Sequence, residues 1–350
     1  MKMSAAFAEA GYDVTLLNSA SRKTEPIPGS IYEFYGVPQT FRYETLPFHR
    51  HRLSVFRYAY AAARFARRGN FDLIYGRDIN ALTGMAVAGL PVGIELHGPA
   101  YSQKKSKHWI YRRFFHGENC RAVVAISDAL KDILAGQGIP PQKLLVAHDG
   151  ADRQPAPVYR TPPGGRLRVG YVGHLYKGRG VDIIFAMAEA LPEHDFVIIG
   201  GRAEDIAYWR ERIPAGGNVE MLGFVPPAAT VELRAGCDVL LAPYQRELEI
   251  YGSKTNTSAY MSPLKIFEYM SAGRAIIVSD LPVLREVLTE ENALLVPPDD
   301  AGAWIGALRK LAADQDLREG LGRRGYDDFN HHYSWQQRAV ELGENLKNLL

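Results

Sequence analysis

The sequence predicts an α/β protein of two domains, each organised around a doubly wound parallel sheet, and three observations carry that prediction. Short β-branched runs recur along the chain with helical stretches between them. A length of 350 residues, with 47% hydrophobic and 23% charged side chains, suits about two ordinary globular domains. Near the middle, DRQPAPVYRTPPGGR (152–166) holds four prolines and adjacent glycines, cannot form a helix, and reads as an interdomain linker.

Taken in order, the chain opens with KMSAAFAEAG, a helix expected to stop at Gly11. Alternating folds of this class begin with a buried strand, so the expectation is that a first strand is missing. Strands follow at Asp13–Leu17, Ile31–Phe34, Leu73–Tyr75, Val92–Leu96, Ala122–Ile126 and Leu144–Ala147. Beyond the linker they are expected at Leu167–Val172, Asp195–Ile199, Val219–Leu222, Val239–Ala242, Ala275–Val278 and Ala293–Val296. The domains are therefore set at 1–151 and 167–333. Residues 334–350 carry apolar side chains at helical spacing and form a terminal helix free to pack anywhere, including back across the first domain.

No apolar run approaches the roughly 18 residues that cross a bilayer, and no secretion signal is visible, which places the protein in the cytoplasm. Cys120 and Cys237 lack the paired spacing of zinc ligands or a disulfide framework and read as buried small residues. Asn256-Thr257-Ser258 matches a glycosylation acceptor but carries no weight without export. The net charge of +2 conceals a split: residues 1–160 carry 21 Lys/Arg against 13 Asp/Glu, and the remainder 20 against 26. A first half at +8 suits an anionic surface or a phosphorylated acceptor. Two basic aromatic stretches, 49–68 and 103–117, read either as amphipathic helices lying on anionic lipid or as solvated faces with their apolar side in the core. With a pI of about 8.4 and no recognisable motif, nucleic acid is not an expected partner.

The most informative segment is MSPLKIFEYMSAGRAIIVSD (261–280). Ser262 fits an N-cap, Pro263 the first helical position and Gly273 the stop, so a helix from Pro263 to Ala272 should lead into a strand. Its free N–H groups suit a diphosphate, Lys265 sits in the first turn, and Glu268 can accept bonds from two adjacent sugar hydroxyls. A well-capped surface helix would satisfy the same spacing. In RVGYVGHLYKGRGVD (168–182) a strand delivers Gly173, and Gly178 and Gly180 let the backbone approach a phosphate beside Lys177 and Arg179. Glycine turns of this kind are common in α/β domains. Two of them at strand carboxyl ends are stronger, since ligands of open sheets bind there. The third strand end, ELHG, presents His97, either to a substrate sugar or as a local cap; Ser127 and Asp128 read as caps. P-loop, HExxH, GxSxG and N-terminal GxGxxG patterns are all missing, as is a strand-end Asp-x-Asp, so phosphoryl transfer, zinc hydrolysis, esterase chemistry and a metal-bridged diphosphate lose support.

Together AEAGYDVTLL, ELHG, AVVAISDALKDIL, LVAHDGAD, YVGHLYKGRG, NVEMLGFVP, DVLLAPY and SPLKIFEYMSAGRAIIVSD resemble retaining glycosyltransferase family 4, the GT-B fold of two facing Rossmann-like domains. The resemblance covers nearly the whole chain. It implies that Glu268 binds the nucleotide ribose, Arg179 the diphosphate, and that His97 lies beside the donor sugar. The implied catalytic set is His97, Arg179 and Lys265; the implied donor-binding set is Gly173, His174, Lys177, Gly180, Tyr244, Tyr260, Ser262, Pro263, Leu264 and Glu268. It further implies a UDP- or GDP-type sugar donor, a glycan or lipid-linked acceptor, and neither metal nor cofactor. Two positions depart from the family pattern: Tyr260 stands where the first glutamate of the pair belongs, and His174 where many members have an arginine. The missing first strand would also remove a glycine-rich loop beside the donor phosphate. A sugar-nucleotide epimerase on the same fold, or a non-catalytic nucleotide-binding protein, remains the alternative; a dehydrogenase lacks its fingerprint.

Overall fold

The computed structural model describes residues 1–21, 29–48, 54–101, 108–160, 165–250 and 253–349. Two compact units emerge, Met1–His148 with Trp335–Leu350, and Asp149–Ser334. The first runs α1 (Lys2–Glu9), β1 (Thr15–Ser21), α2 (Ile31–Tyr35), β2 (Arg42–Phe48), α3 (Ser54–Gly69), β3 (Ile74–Gly76), α4 (Ile79–Val87), β4 (Val92–Leu96), α5 (His108–His116), β5 (Cys120–Ala125), α6 (Asp128–Gly136) and β6 (Leu144–Val146). Strands β3 to β6 form one parallel sheet in sequence order, and β1 pairs with β2, also in parallel.

Two local readings change here. Ile31–Phe34, expected as a strand, lies in α2, because Ser30 accepts from the Tyr32 amide while the Ser30 amide donates to Glu33, and Gly36 ends the turn in the left-handed region. That capping box outweighs the β-branched side chain of Ile31 locally. The strand of this region is β2, whose sequence RYETLPF mixes polar residues with a proline and holds no β-branched apolar run. Ser127 caps α6 by accepting from the Leu130 amide, and Asp128 is its first residue.

Helix α3 turns its alanines inward: Ala59, Ala62, Ala63 and Ala66 are buried, and the helix packs on α4. Phe56 and Tyr60 are instead 73% and 69% exposed, interleaved with the exposed Arg57, Arg64, Arg67 and Arg68. Residues 49–53 of the first basic stretch and 103–107 of the second lie outside the described residues. In the second stretch α5 buries Tyr111, Phe114 and Phe115 and leaves Trp109 exposed.

The C-terminal helix, Trp335–Lys347, belongs to the first unit, where Leu342 and Leu346 pack with Ala122 and Val124 of β5 and with Met3 and Phe7 of α1. Its Arg338 is buried and donates to Glu95 Oε2 at 2.9 Å and to the carbonyls of His148 (2.6 Å) and Ala147 (3.1 Å).

The second unit runs β7 (Arg168–Val172), α7 (Val181–Ala190), β8 (Asp195–Ile199), α8 (Ala203–Arg210), β9 (Val219–Gly223), α9 (Pro227–Ala235), β10 (Val239–Ala242), β11 (Glu249–Ile250), β12 (Ser253–Asn256), α10 (Leu264–Ser271), β13 (Ala275–Ser279), β14 (Leu294–Val296), α11 (Ala301–Ala313) and α12 (Gln315–Asp328). Six parallel strands stand in the order β14-β13-β10-β7-β8-β9, and β11 and β12 form a short antiparallel hairpin. Chain order reverses on either side of β7, so the carboxyl ends of β7 and β10 flank the topological switch point. The core beneath includes Phe196, Ile198, Leu241, Ile277 and the fully buried Trp304. Residues 149–160 lie on this unit, fixed by bonds from Arg153 to the Asn330 carbonyl, Tyr159 to Gly273 and Arg274 to Val158, while 161–164 lie outside the described residues.

Replacing Arg338 with methionine removes the charge that faces the buried Glu95 from the C-terminal helix. The first unit should lose about 3 kcal/mol of stability, read from the denaturant midpoint of its unfolding; an unchanged midpoint would refute a structural role for the pair.

Candidate functional site

Gly173 and Tyr244 stand just beyond the carboxyl ends of β7 and β10, and two helix starts meet them there. Helix α7 begins at Gly180, whose left-handed backbone (φ +69°) sits so close to β10 that a Cβ would lie 2.1 Å from the Pro243 carbonyl oxygen. Only glycine lets this turn press against the neighbouring strand end. Helix α10 begins after Pro263 and is tied to β7 by the Tyr269 hydroxyl, which accepts from the Val172 amide at 2.8 Å. Neither start has a side-chain cap. Ser262, expected to cap α10, is occupied elsewhere: its Oγ accepts from the Asp149 amide at 3.0 Å, and Pro263 is the cap residue. Pro263 offers the N–H groups of the first turn of α10 no side-chain acceptor, and an uncapped helix start of this kind suits an anion.

Cations rest against aromatic faces at this point. Lys265 Nζ lies 3.9 Å from the Tyr171 ring centroid and 5.0 Å from that of Tyr244. Arg179 Cζ is 4.7 Å from the Tyr176 centroid and 5.5 Å from Tyr244, and its guanidinium donates to the Tyr176 hydroxyl. Among the described residues neither cation is in an ion pair with a carboxylate. Burial pulls the Lys265 ammonium well below the usual lysine range; Arg179 pushes the same way and Glu268 opposes. Gly173 completes the enclosure, since a Cβ there would fall 2.8 Å from Lys265 Nζ. At His174 burial, followed by Arg179, Lys265 and Arg202, lowers the imidazole pKa, so the ring tends to neutrality beside these basic groups. A group with two or more negative charges is the natural complement of this arrangement.

Glu268, one turn further along α10, faces the buried Arg234 of α9. Arg234 Nη1 donates to Thr230 Oγ1 at 2.7 Å and to Glu268 Oε2 at 3.3 Å. Burial raises the Glu268 pKa, with Arg234 and Lys265 opposing. Its side chain remains 37% exposed, and Oε2 is the oxygen engaged by Arg234.

Of the residues singled out from sequence, Gly173, His174, Arg179, Gly180, Tyr244, Lys265 and Glu268 come together around the β7 and β10 ends. Lys177 points outward, 4.0 Å from Glu247 with both side chains exposed. Leu264 is exposed, whereas Tyr260 is buried. His97 belongs to the first unit, where its Nε2 lies 2.7 Å from Glu95 Oε1. Tyr171, Tyr176 and Arg234 were not anticipated. The two tyrosines bracket Gly173 in YVGHLY, and their spacing could have been read as aromatic walls for the basic residues that follow.

Comparison with known proteins gives this architecture a class. Residues 166–314 match the family model Glycosyl transferases group 1, and residues 1–155 match Glycosyltransferase Family 4. A phosphatidyl-myo-inositol mannosyltransferase of Mycolicibacterium smegmatis is 25% identical over 98% of this chain and 87% of its own. Among solved structures, a glycosyltransferase from Rickettsia africae aligns with a TM-score of 0.76 at 13% identity, over 99% of this chain and 93% of that one. Sucrose-phosphate synthase from Thermosynechococcus elongatus aligns at 0.72 with 17% identity, over 99% and 92%. Anabaena HepE, solved with UDP, aligns at 0.69 with 16% identity, over 95% and 99%. The fold is thus that of the GT-B glycosyltransferases, with two Rossmann-like domains. Within that class the chain belongs to glycosyltransferase family 4.

A cation kept in an aromatic enclosure without its own carboxylate should cost the empty protein stability. Lys265→Met is expected to leave the nucleotide-free protein as stable as the parent or about 1 kcal/mol more so. The same variant should lose the thermal stabilisation that UDP or GDP confers on the parent in a melting assay. Retained nucleotide stabilisation would remove Lys265 from the site.

Proposed function

We propose that the protein transfers a hexosyl unit, with retained anomeric configuration, from a UDP- or GDP-type sugar to a hydroxyl of a glycan or lipid-linked acceptor. The observation that carries this reading is the pair of aromatic-walled cations, Lys265 and Arg179, beside two helix starts without side-chain caps at the β7 and β10 ends. The departing diphosphate would be stabilised by these groups, which are pre-oriented and partly withdrawn from water, where such interactions are strongest. Charge compensation by Lys265 and Arg179 assigns no role to a metal, and the donor is the sole small molecule required. The donor C1–O bond to the diphosphate breaks, the acceptor oxygen bonds to C1 on the same face, and the acceptor proton passes to the departing phosphate. Glu268 receives the ribose hydroxyls through the oxygen not engaged by Arg234, and His97, on the first unit, bonds a sugar hydroxyl.

The mannosyltransferase relative supports a hexosyl donor and a lipid-linked acceptor, and the UDP complex of HepE supports a nucleotide-sugar donor. Among the described residues no helix is long and apolar enough to cross a membrane. Work at the cytoplasmic membrane face is instead supported by α3, whose outward aromatics stand among arginines, a composition suited to anionic headgroups.

Two measurements test these assignments. Glu268→Gln preserves a partner for the buried Arg234, so the protein should fold normally while nucleotide affinity falls by about 1.5–3 kcal/mol, the worth of hydrogen bonds to a charged group. Calorimetry showing parental affinity would detach Glu268 from the ribose. Vesicles containing anionic lipid should co-float the protein in a salt-dependent manner, less so after Phe56→Ser and Tyr60→Ser together. Equal flotation with neutral vesicles would dismiss the membrane reading.

A further inference from the structure

The carboxylate of Glu95 is 1% exposed at the carboxyl end of β4, and four side chains converge on it. Oε1 receives Arg77 Nη2 at 2.6 Å and lies 2.7 Å from His97 Nε2. Oε2 receives Arg338 Nη2 at 2.9 Å and the Tyr75 hydroxyl. Burial alone would push this carboxyl up, but the bonds from His97, Arg338, Arg77 and Tyr75 outweigh it and hold the group well below the usual carboxylate range. An ionised carboxylate can only accept. Each of its four neighbours must therefore donate, and the histidine nitrogen that faces it must carry hydrogen. When the ring is neutral, Nδ1 is then its acceptor. The imidazole side chain is 36% exposed, so a ligand can reach it.

We infer that Glu95 is a positioning residue for His97, fixing the ring as the Nε2–H form so that Nδ1 is presented as an acceptor to a sugar hydroxyl. The inference deepens the proposed function and rests on it for the identity of the hydroxyl, though not for the bond itself. Three supports hold the carboxylate in place. Tyr75 comes from the adjacent strand β3, Arg77 from the turn after it, and Arg338 from the C-terminal helix, which also grips the carbonyls of Ala147 and His148 at the end of β6. Such bracing fixes the orientation of a polar side chain more tightly than a surface bond can, because the carboxylate has no solvated alternative.

The test uses the intact protein labelled with 15N-histidine, the His97 signal being assigned by its loss in His97→Gln. At neutral pH the neutral ring should show a protonated Nε2 with an observable N–H proton, slowed in exchange by the carboxylate. In Glu95→Gln that proton should disappear into fast exchange, and kcat should fall about ten- to a hundredfold, the usual effect of removing a group that orients a functional histidine. Affinity for UDP or GDP should not change, since the nucleotide-binding residues belong to the second unit. A neutral ring protonated at Nδ1, or a Glu95→Gln variant with parental kcat, overturns the inference. Should Glu95→Gln fail to fold, the labelled parent still decides through its tautomer. If His97→Gln keeps full turnover, the proposed role of His97 falls, while the spectrum decides separately whether Glu95 holds the ring.

Discussion

The second unit is organised around positive charge withdrawn from water and, among the described residues, in no ion pair. Lys265 and Arg179 lean on the rings of Tyr171, Tyr176 and Tyr244. Each cation–ring contact is worth about 2 kcal/mol or less, far below what a buried ammonium loses in hydration. The lowered affinity of Lys265 for its proton expresses that imbalance. Gly180 allows α7 to start against Pro243, Tyr269 ties α10 to β7, and the reversal of strand order on either side of β7 opens the space into which both helix starts face. Each feature makes sense as part of a cradle for an anion that restores the missing hydration.

The first unit solves the opposite problem. Its buried charge is negative, and Glu95 is supplied with about as many donors as one carboxylate can accept: two guanidiniums, a phenol and an imidazole. Such saturation leaves the carboxylate no freedom, whereas Lys265 and Arg179 of the second unit are in no ion pair among the described residues. One arrangement fixes geometry and the other stores attraction for a ligand. Both stand at strand carboxyl ends, where open parallel sheets place function.

Much of this was legible in the chain. Buried strands announced themselves by hydrophobic runs, and β4, β8 and β10 fall where the pattern put them, because each carries a mostly apolar, buried run. Glu268, Arg179 and Lys265 stand out in the sequence because they sit in short segments with turn and cap signals. Three things escaped. The strand β2 mixes polar residues with a proline and holds no β-branched apolar run, and α2 is set by a capping box that counts for more than its one β-branched side chain, Ile31. Ser262 fits a cap by spacing alone, yet a backbone amide more than a hundred residues away claims its hydroxyl. Arg234 and Arg338 meet carboxylates distant in sequence, Glu268 and Glu95, and no periodicity pairs residues on different elements.

The two departures from the family pattern acquire a physical meaning in this setting. His174 replaces an arginine on a surface that already holds Arg179 and Lys265, and its ring is biased toward neutrality by burial and by those same charges. A third fixed cation would add repulsion that the empty protein must bear, whereas a histidine can take up a proton when an anion arrives. Tyr260 replaces a carboxylate and is buried, so the position contributes bulk instead of charge. With that glutamate gone, Glu268 is the one carboxylate on α10, and Arg234 behind it both offsets its burial and restrains its Oε2. The two substitutions reduce charge of opposite sign, one cation and one anion, so the electrostatic balance of the pocket is kept while the number of groups that could direct a sugar hydroxyl falls. On the proposed function, discrimination between donor sugars rests more on shape and backbone groups than on paired carboxylates.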